Sequence, residues 1–187
     1  MLTSPTLKPL NLQQFLALPE TKPGQEFING EIIQKPMPKG KHSRLQGKLC
    51  NVINNLAEVP KIAYAFPELR CSFGDRSIIP DIAVFRWTNI PFLTNGEVPD
   101  RFELAPNWII EILSPDQQPN RVIGNILYAL EHGTTLGWFI DPSDHSVLTF
   151  SGDRPPRLIE GPRVLPSLSC IPLELTANAL FDWLKMS

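Results

Sequence analysis

A mixed β-sheet flanked by helices, of the α/β or α+β class, is the architecture that these 187 residues predict. Three observations predict it. Strand-like segments dominate the middle of the chain, with helical patterns before, between and after them. The stretch from Trp108 through a helix at about 120–132 to Trp138 has the length of a parallel β-α-β crossover. And two apolar strands, Ile78 to Arg86 and Trp108 to Leu113, each carry one acidic residue, Asp81 and Glu111. Without alternation of polar and apolar positions, such runs read as strands buried on both faces.

Pro5 and Pro9 punctuate residues 1–10, which read as an N-terminal arm. Asn11 is placed to cap a short helix whose apolar side is Leu12, Phe15, Leu16 and Leu18. Glu26 to Ile33 reads as a hairpin, because Asn29-Gly30 is the favoured type I′ pair between apolar strands. After the loop at 36–40, Leu45, Leu49, Val52, Ile53 and Leu56 recur at helical spacing over His42 to Ala57. Strands follow at Ala63 to Leu69, Arg70 to Phe73 and Ile78 to Arg86, with a turn over Gly74-Asp75-Arg76-Ser77. Residues 88–106 form a long loop, the kind of segment that serves as a lid or binding element. Beyond the Glu111 strand come the helix 120–132, the strand from Gly137 to Asp141 and a strand from Val147 to Phe150. Arg154-Pro155-Pro156 reads as a turn, Leu158-Ile159 with Val164-Leu165 as an edge hairpin, and Thr176 as the cap of a last helix bearing Leu180, Phe181 and Leu184. No linker, repeat or low-complexity tract divides residues 1–187, so one domain is expected.

Composition bounds the function. Hydrophobic content of 42% and charged content of 19% describe a folded soluble protein, and no run reaches the roughly 18 apolar residues of a membrane span. The opening residues carry no basic and apolar leader pattern. Cys50, Cys71 and Cys170 are odd in number and scattered, as expected of reduced thiols in a cytoplasmic protein rather than a zinc site. A net charge of −2 argues against a general nucleic-acid coat, yet the basic run from Lys35 to Lys48 (Lys35, Lys39, Lys41, Arg44, Lys48) contains no acid. It is either a solvated helix face or a local phosphate-binding patch formed by Lys39, Lys41, His42 and Arg44.

The acids carry the chemistry. An ionised carboxylate taken out of water costs several kcal/mol unless a cation, a metal or hydrogen-bond donors compensate it. Two such residues in neighbouring strands point to a pair of carboxylates meeting at one place; the plain alternative is acids at strand ends, facing water or an arginine.

Four ordered blocks carry a resemblance: Glu26 to Glu31 (EFINGE), Pro80-Asp81-Ile82-Ala83-Val84, Ile110-Glu111-Ile112-Leu113-Ser114-Pro115, and Gly137-Trp138-Phe139-Ile140-Asp141-Pro142. Together they resemble the Uma2 family of the restriction-endonuclease-like PD-(D/E)XK superfamily, over about residues 12 to 184. The resemblance implies a restriction-endonuclease-like fold and a Mg²⁺- or Mn²⁺-dependent endonuclease acting on DNA. Asp81 and Glu111 match its metal-binding acids, and Glu31, or failing that Glu26, would complete the set. Mg²⁺ takes hard oxygen ligands and keeps several waters, so two carboxylates suffice. The lysine of the basic superfamily motif falls at Leu113, and the helix lysine usual in Uma2-like chains falls at Asn125. Arg121, one turn earlier on a polar stripe with Asn125, Tyr128 and His132, either replaces that charge or is a solvated helix residue. Arginine would act by charge alone, since it cannot be a base at neutral pH. His42, at the start of its helix, either faces the same cleft or is a surface residue of the helix end. Gln117 and Gln118, in the loop after Pro115, either touch substrate or serve the loop alone; Trp138 and Asp141 are expected to pack and to cap a turn. Two function classes therefore stand: a metal-dependent endonuclease, or a nuclease-fold protein without catalysis that binds nucleic acid or protein. Apolar edge strands near the C-terminus suggest a homodimer.

Overall fold

A computed structural model describes residues 10–152 and 154–186. Apart from Leu10, the arm expected at residues 1–10 lies outside the described residues. Helix α1 (Leu12–Leu16) opens with a reciprocal cap: Gln14 N donates to Asn11 Oδ1 at 2.9 Å and Asn11 N to Gln14 Oε1 at 3.0 Å. The hairpin β1 (Gln25–Ile28) and β2 (Glu31–Gln34) turns on Asn29 and Gly30, at φ 53° and 82°, the positive pair that a type I′ turn requires.

Next come α2 (Gly40–Ala57), β3 (Ala63–Pro67), β4 (Cys71–Phe73), β5 (Arg76–Ile78), β6 (Ile82–Arg86) and a 3-10 turn over Trp87–Asn89. The second half adds β7 (Trp108–Ile112), α3 (Pro119–Glu131), β8 (Leu136–Asp141), β9 (Ser146–Ser151), β10 (Arg154–Ile159) and α4 (Ala177–Asp182), capped by Thr176.

The strands form two sheets rather than one. The smaller has the order β2-β1-β5-β4; the larger, β10-β9-β8-β7-β6-β3. Every pairing is antiparallel except β7 with β8, which are joined by the expected crossover helix α3. On one face of the large sheet, Leu45, Leu49 and Ile53 of α2 pack with Val84, Ile110 and Trp138, closed by Leu180 and Phe181 of α4. On the other, Val122, Ile126 and Ala129 of α3 pack with Ile109 and Phe139, and with Ile28, Phe73 and Ile78 of the small sheet.

Four further expectations need correction. The turn expected over Gly74-Asp75-Arg76-Ser77 is confined to Gly74 and Asp75, because Arg76 and Ser77 pair with Phe73 and Ser72 as the start of β5. The run Ile78 to Arg86 is not one strand: β5 ends at Ile78 in the small sheet and β6 starts at Ile82 in the large one. Pro80 has no N–H to extend a ladder, so the chain breaks there and changes sheets. Arg154-Pro155-Pro156 is not a turn but the start of β10, where the two prolines are tolerated because the strand lies at an edge; the register shifts between Arg154 and Arg157. Leu158 and Ile159 pair back with Leu148 and Val147, while Val164 bridges to Thr176, so the last edge hairpin does not form. Among the described residues no helix is long and apolar enough to cross a membrane.

Candidate active site

The break at Pro80 places Asp81 where the two sheets meet. Because Ile82 faces Ile110 in the β6–β7 register, Asp81 stands opposite Glu111, on the same side of the sheet. Asp81 N donates to Glu111 Oε2 at 3.4 Å. Both side chains are buried, at 2% and 3% exposure.

The Asp81 carboxylate is held from three directions. Oδ1 accepts from Lys35 Nζ at 2.8 Å; Oδ2 accepts from Ile112 N at 2.7 Å and lies 3.0 Å from His42 Nε2. Gln46 on α2 donates to the Asp81 carbonyl at 2.7 Å and to Glu68 at 3.1 Å. Glu26, buried on β1, accepts from Ile79 N at 2.8 Å, which ties the hairpin to the chain just before the break. Glu111 differs: Oε1 is buried and, among the described residues, has no hydrogen-bond partner.

These environments push the three acids apart. Burial alone would raise Asp81, but Lys35 and the hydrogen bond from His42 outweigh it and bring the carboxyl down to about 2. Burial raises Glu111 well above its ordinary range, and the neighbouring Asp81 charge adds to that. Glu26 is also raised by burial, against the pull of Lys35. Burial would lower the Lys35 ammonium, yet Asp81, Glu111, Glu68 and Glu26 together drive it upward, so it stays charged.

A cleft of about 330 Å³ opens onto this cluster, lined by Glu26, Lys35, Glu111 and Asn125, with Gln117 and Arg121 toward its mouth. Asn125 is buried, its amide beside the Glu26 carboxyl, whereas Arg121 is exposed. The polar stripe on α3 therefore divides. Arg121 and Asn125 serve the cleft, while Tyr128 donates to Asp75 and receives the His132 ring against its own.

Glu31 and two of the four patch candidates, His42 and Arg44, sit differently from a phosphate-binding surface. Glu31 shares the face of β2 that carries Ile33, but at the hairpin end, where it is exposed and lines an adjoining groove with Arg76 and Asn120. The carboxylates that line the cleft are Glu26, Glu111 and Asp116, and of these Glu26 is the buried neighbour of the Asp81–Glu111 pair. His42 is not a surface contact; it is buried against Asp81. Arg44 turns away, its Nε donating to the Trp183 carbonyl at 3.0 Å. Lys39 pairs with Asp116 across the gap between α2 and the loop before α3, and Lys41 is exposed beside it. Among the described residues no group of three or more His, Cys, Asp or Glu side chains is arranged to hold a metal ion.

Lys35 and Gln46 belong to the site without having stood out in the sequence. A signal for Lys35 exists: Ile33 faces Glu26 in the hairpin, and two residues further along the same alternation stands Lys35. The basic run that begins at Lys35 masks it. Gln46 carries no such mark.

The profile of the Uma2 family, described as "Putative restriction endonuclease", matches residues 12–180. No curated protein matches the chain. Among solved structures, the crystal structure of "a putative nuclease belonging to DUF820" from Anabaena variabilis is similar, with 47% sequence identity and a TM-score of 0.93, covering 95% of this chain and 100% of that one.

Proposed function

The chain belongs to the Uma2 family, and on that premise we propose that it is a metal-dependent endonuclease hydrolysing the phosphodiester bonds of DNA. One observation supports this reading above the others. Among the described residues, three buried carboxylates, Glu26, Asp81 and Glu111, share the site with a single lysine, and one Glu111 oxygen is left without any donor. With its acids ionised, such a cluster is short of positive charge and offers hard oxygen atoms, which fits Mg²⁺ or Mn²⁺. Asp81 and Glu111 would hold the ion, with Glu26 rather than Glu31 as the nearest further acid, and waters filling the remaining positions. Bound there, the ion supplies a Lewis acid for the phosphate and for the attacking water.

The chain's own residues do the rest. Ile112 N and His42 fix the Asp81 carboxylate so that it cannot turn away, and Glu111 keeps one oxygen uncommitted. Asn125 steadies Glu26 but brings no charge. Arg121 stands at the mouth to meet the polyanion. In the reaction the water oxygen forms a bond to phosphorus and the bond from phosphorus to one sugar oxygen breaks. One water proton goes to solvent and the departing alkoxide takes one from solvent, leaving a phosphomonoester and a hydroxyl.

The test is nicking of supercoiled plasmid with Mg²⁺ or Mn²⁺, paired with thermal shift. The wild type gains Tm with either ion and nicks; Asp81→Ala does neither. A wild type indifferent to both ions ends the proposal. The alternative, a nuclease fold that binds nucleic acid without cutting it, draws on the uncharged Asn125 and on Lys39 and Lys41. It predicts metal-independent DNA retention that falls with salt. Cutting both strands calls for two sites, and exposed Leu158 and Val164 beside β10 offer a face for a second copy, which sedimentation would detect.

A further inference from the structure

Lys35 continues the alternation of β2 past Ile33 and so joins the face that carries Glu26. It is 8% exposed. A buried ammonium persists only where acceptors replace its water. Here Nζ donates to Asp81 Oδ1 at 2.8 Å and to the Ile79 carbonyl at 2.6 Å. Glu68 Oε2, at 3.6 Å, is too distant for a hydrogen bond, so among the described residues one of the three N–H groups is unspent. A charged donor is thus clamped by two fixed acceptors in the wall of the cleft that holds Glu111.

Hydrolysis of a phosphodiester gathers negative charge on the non-bridging oxygens at the transition state, and a preorganised cation meets that charge best. Three side chains of the cleft stand as candidates. Asn125 has no charge. Arg121 has charge, but it is exposed and, among the described residues, makes no ion pair, so its rotamers must be frozen at each encounter. Lys35 has charge, burial and two anchors.

We propose that Lys35 is the catalytic cation of this site, its ammonium donating a hydrogen bond to a non-bridging oxygen of the DNA phosphate while Ile79 holds it in place. Lys35 keeps all its protons, so it stabilises charge and transfers nothing. The proposal rests on the phosphodiester reading of the same cleft. It moves the positive charge from α3, where position 125 lacks it, to the end of β2. It also sets Lys35 in competition with a divalent ion for Asp81.

Four proteins test it: wild type, Lys35→Met, Lys35→Arg and Arg121→Gln, each assayed for plasmid nicking and for the Tm gained with Mn²⁺. Lys35→Met should lose about 100-fold in kcat with KM little changed. Its Mn²⁺ shift in Tm should equal or exceed that of the wild type, because the ion no longer competes with an ammonium. Lys35→Arg should retain part of kcat, and Arg121→Gln should raise KM. A Lys35→Met protein within about threefold of the wild-type kcat overturns the proposal. So does one that loses its Mn²⁺ shift together with kcat, since that marks a merely structural lysine. If the wild type nicks nothing, the endonuclease reading falls, and Lys35 is judged by nitrogen-15 NMR of lysine-labelled protein in CaCl₂. The ammonium resonance missing from Lys35→Arg should then move on adding thymidine 5′-monophosphate; an unmoved resonance overturns the assignment.

Discussion

Glu111 is the residue on which the free energy of the site turns. Its carboxyl is buried, faces Asp81 and, among the described residues, leaves Oε1 without a donor, so the charged form is costly while no metal is bound. At a pH where the carboxyl is ionised, Glu111→Gln should therefore raise the metal-free stability by about 1–3 kcal/mol, with Tm rising accordingly, and abolish the Mn²⁺ shift. Chemical denaturation with and without the ion separates the two effects. The acids also predict a two-signed pH profile. Glu26 and Glu111 are raised above the ordinary carboxylate value of 4.5, so the metal-free fold gains stability as pH falls through their raised range, and the gain is complete below the ordinary value. Asp81 is held down at about 2, against an ordinary 3.8, so its contribution is fully present above about pH 4 and is lost as pH falls from there toward 2. That contribution is on the order of 2 kcal/mol, at about 1.4 kcal/mol per pH unit. A Tm series in pH should rise, then fall. In Asp81→Asn the acid-side fall should be shallower.

At the scale of elements, two helices and a hairpin carry the site, and their seating on the sheets fixes its geometry. Helix α3 rests on β8 through Gly137: a Cβ there would strike Ile126, one residue from Asn125. Gly137→Ala should lift α3 from the sheet, costing about 1–3 kcal/mol and displacing Asn125 and Arg121 from the cleft. Equilibrium denaturation reads the first effect. A KM that rises more than Tm loss explains reads the second; an unchanged Tm would show that Ile126 repacks freely. The N-terminus of α2 contributes differently. His42 in its first turn reaches Asp81, while Lys39 before it bridges to Asp116 in the loop ahead of α3. That exposed pair adds little stability. It leaves a lysine that a phosphate can claim.

For the molecule as a whole, the net charge of −2 means that any grip on DNA is local. Lys39 and Lys41 lie beside the site, whereas Arg44 is spent on the Trp183 carbonyl. Neutralising Lys39 and Lys41 to Gln should lower the slope of log affinity against log salt by up to about 2, near 0.9 for each phosphate no longer neutralised. Arg44→Gln should leave the slope unchanged and lower Tm instead. Fluorescence anisotropy with a short labelled duplex across a salt series gives the slopes, and an equal effect of Arg44→Gln would sink this division of roles.

Periodicity along the chain determined the helices, the Asn29-Gly30 hairpin and the crossover from β7 to β8, because each depends on neighbours within a few residues or on a face pattern written locally. It also marked Asp81 and Glu111, since a carboxylate within an oily run stands out in any sequence. The tertiary structure alone decided where one strand became two. Pro80 was visible, but sheet membership depends on which partner strand each half finds. It alone converted Lys35 from a member of a basic run into a partner of Asp81, across a separation of 46 residues, and it decided between cleft and solvent for His42. A side chain's charge is local information; which opposite charge it meets in the low-dielectric interior is settled only when distant segments pack, and that meeting decides whether a lysine is solvent-facing or part of a site.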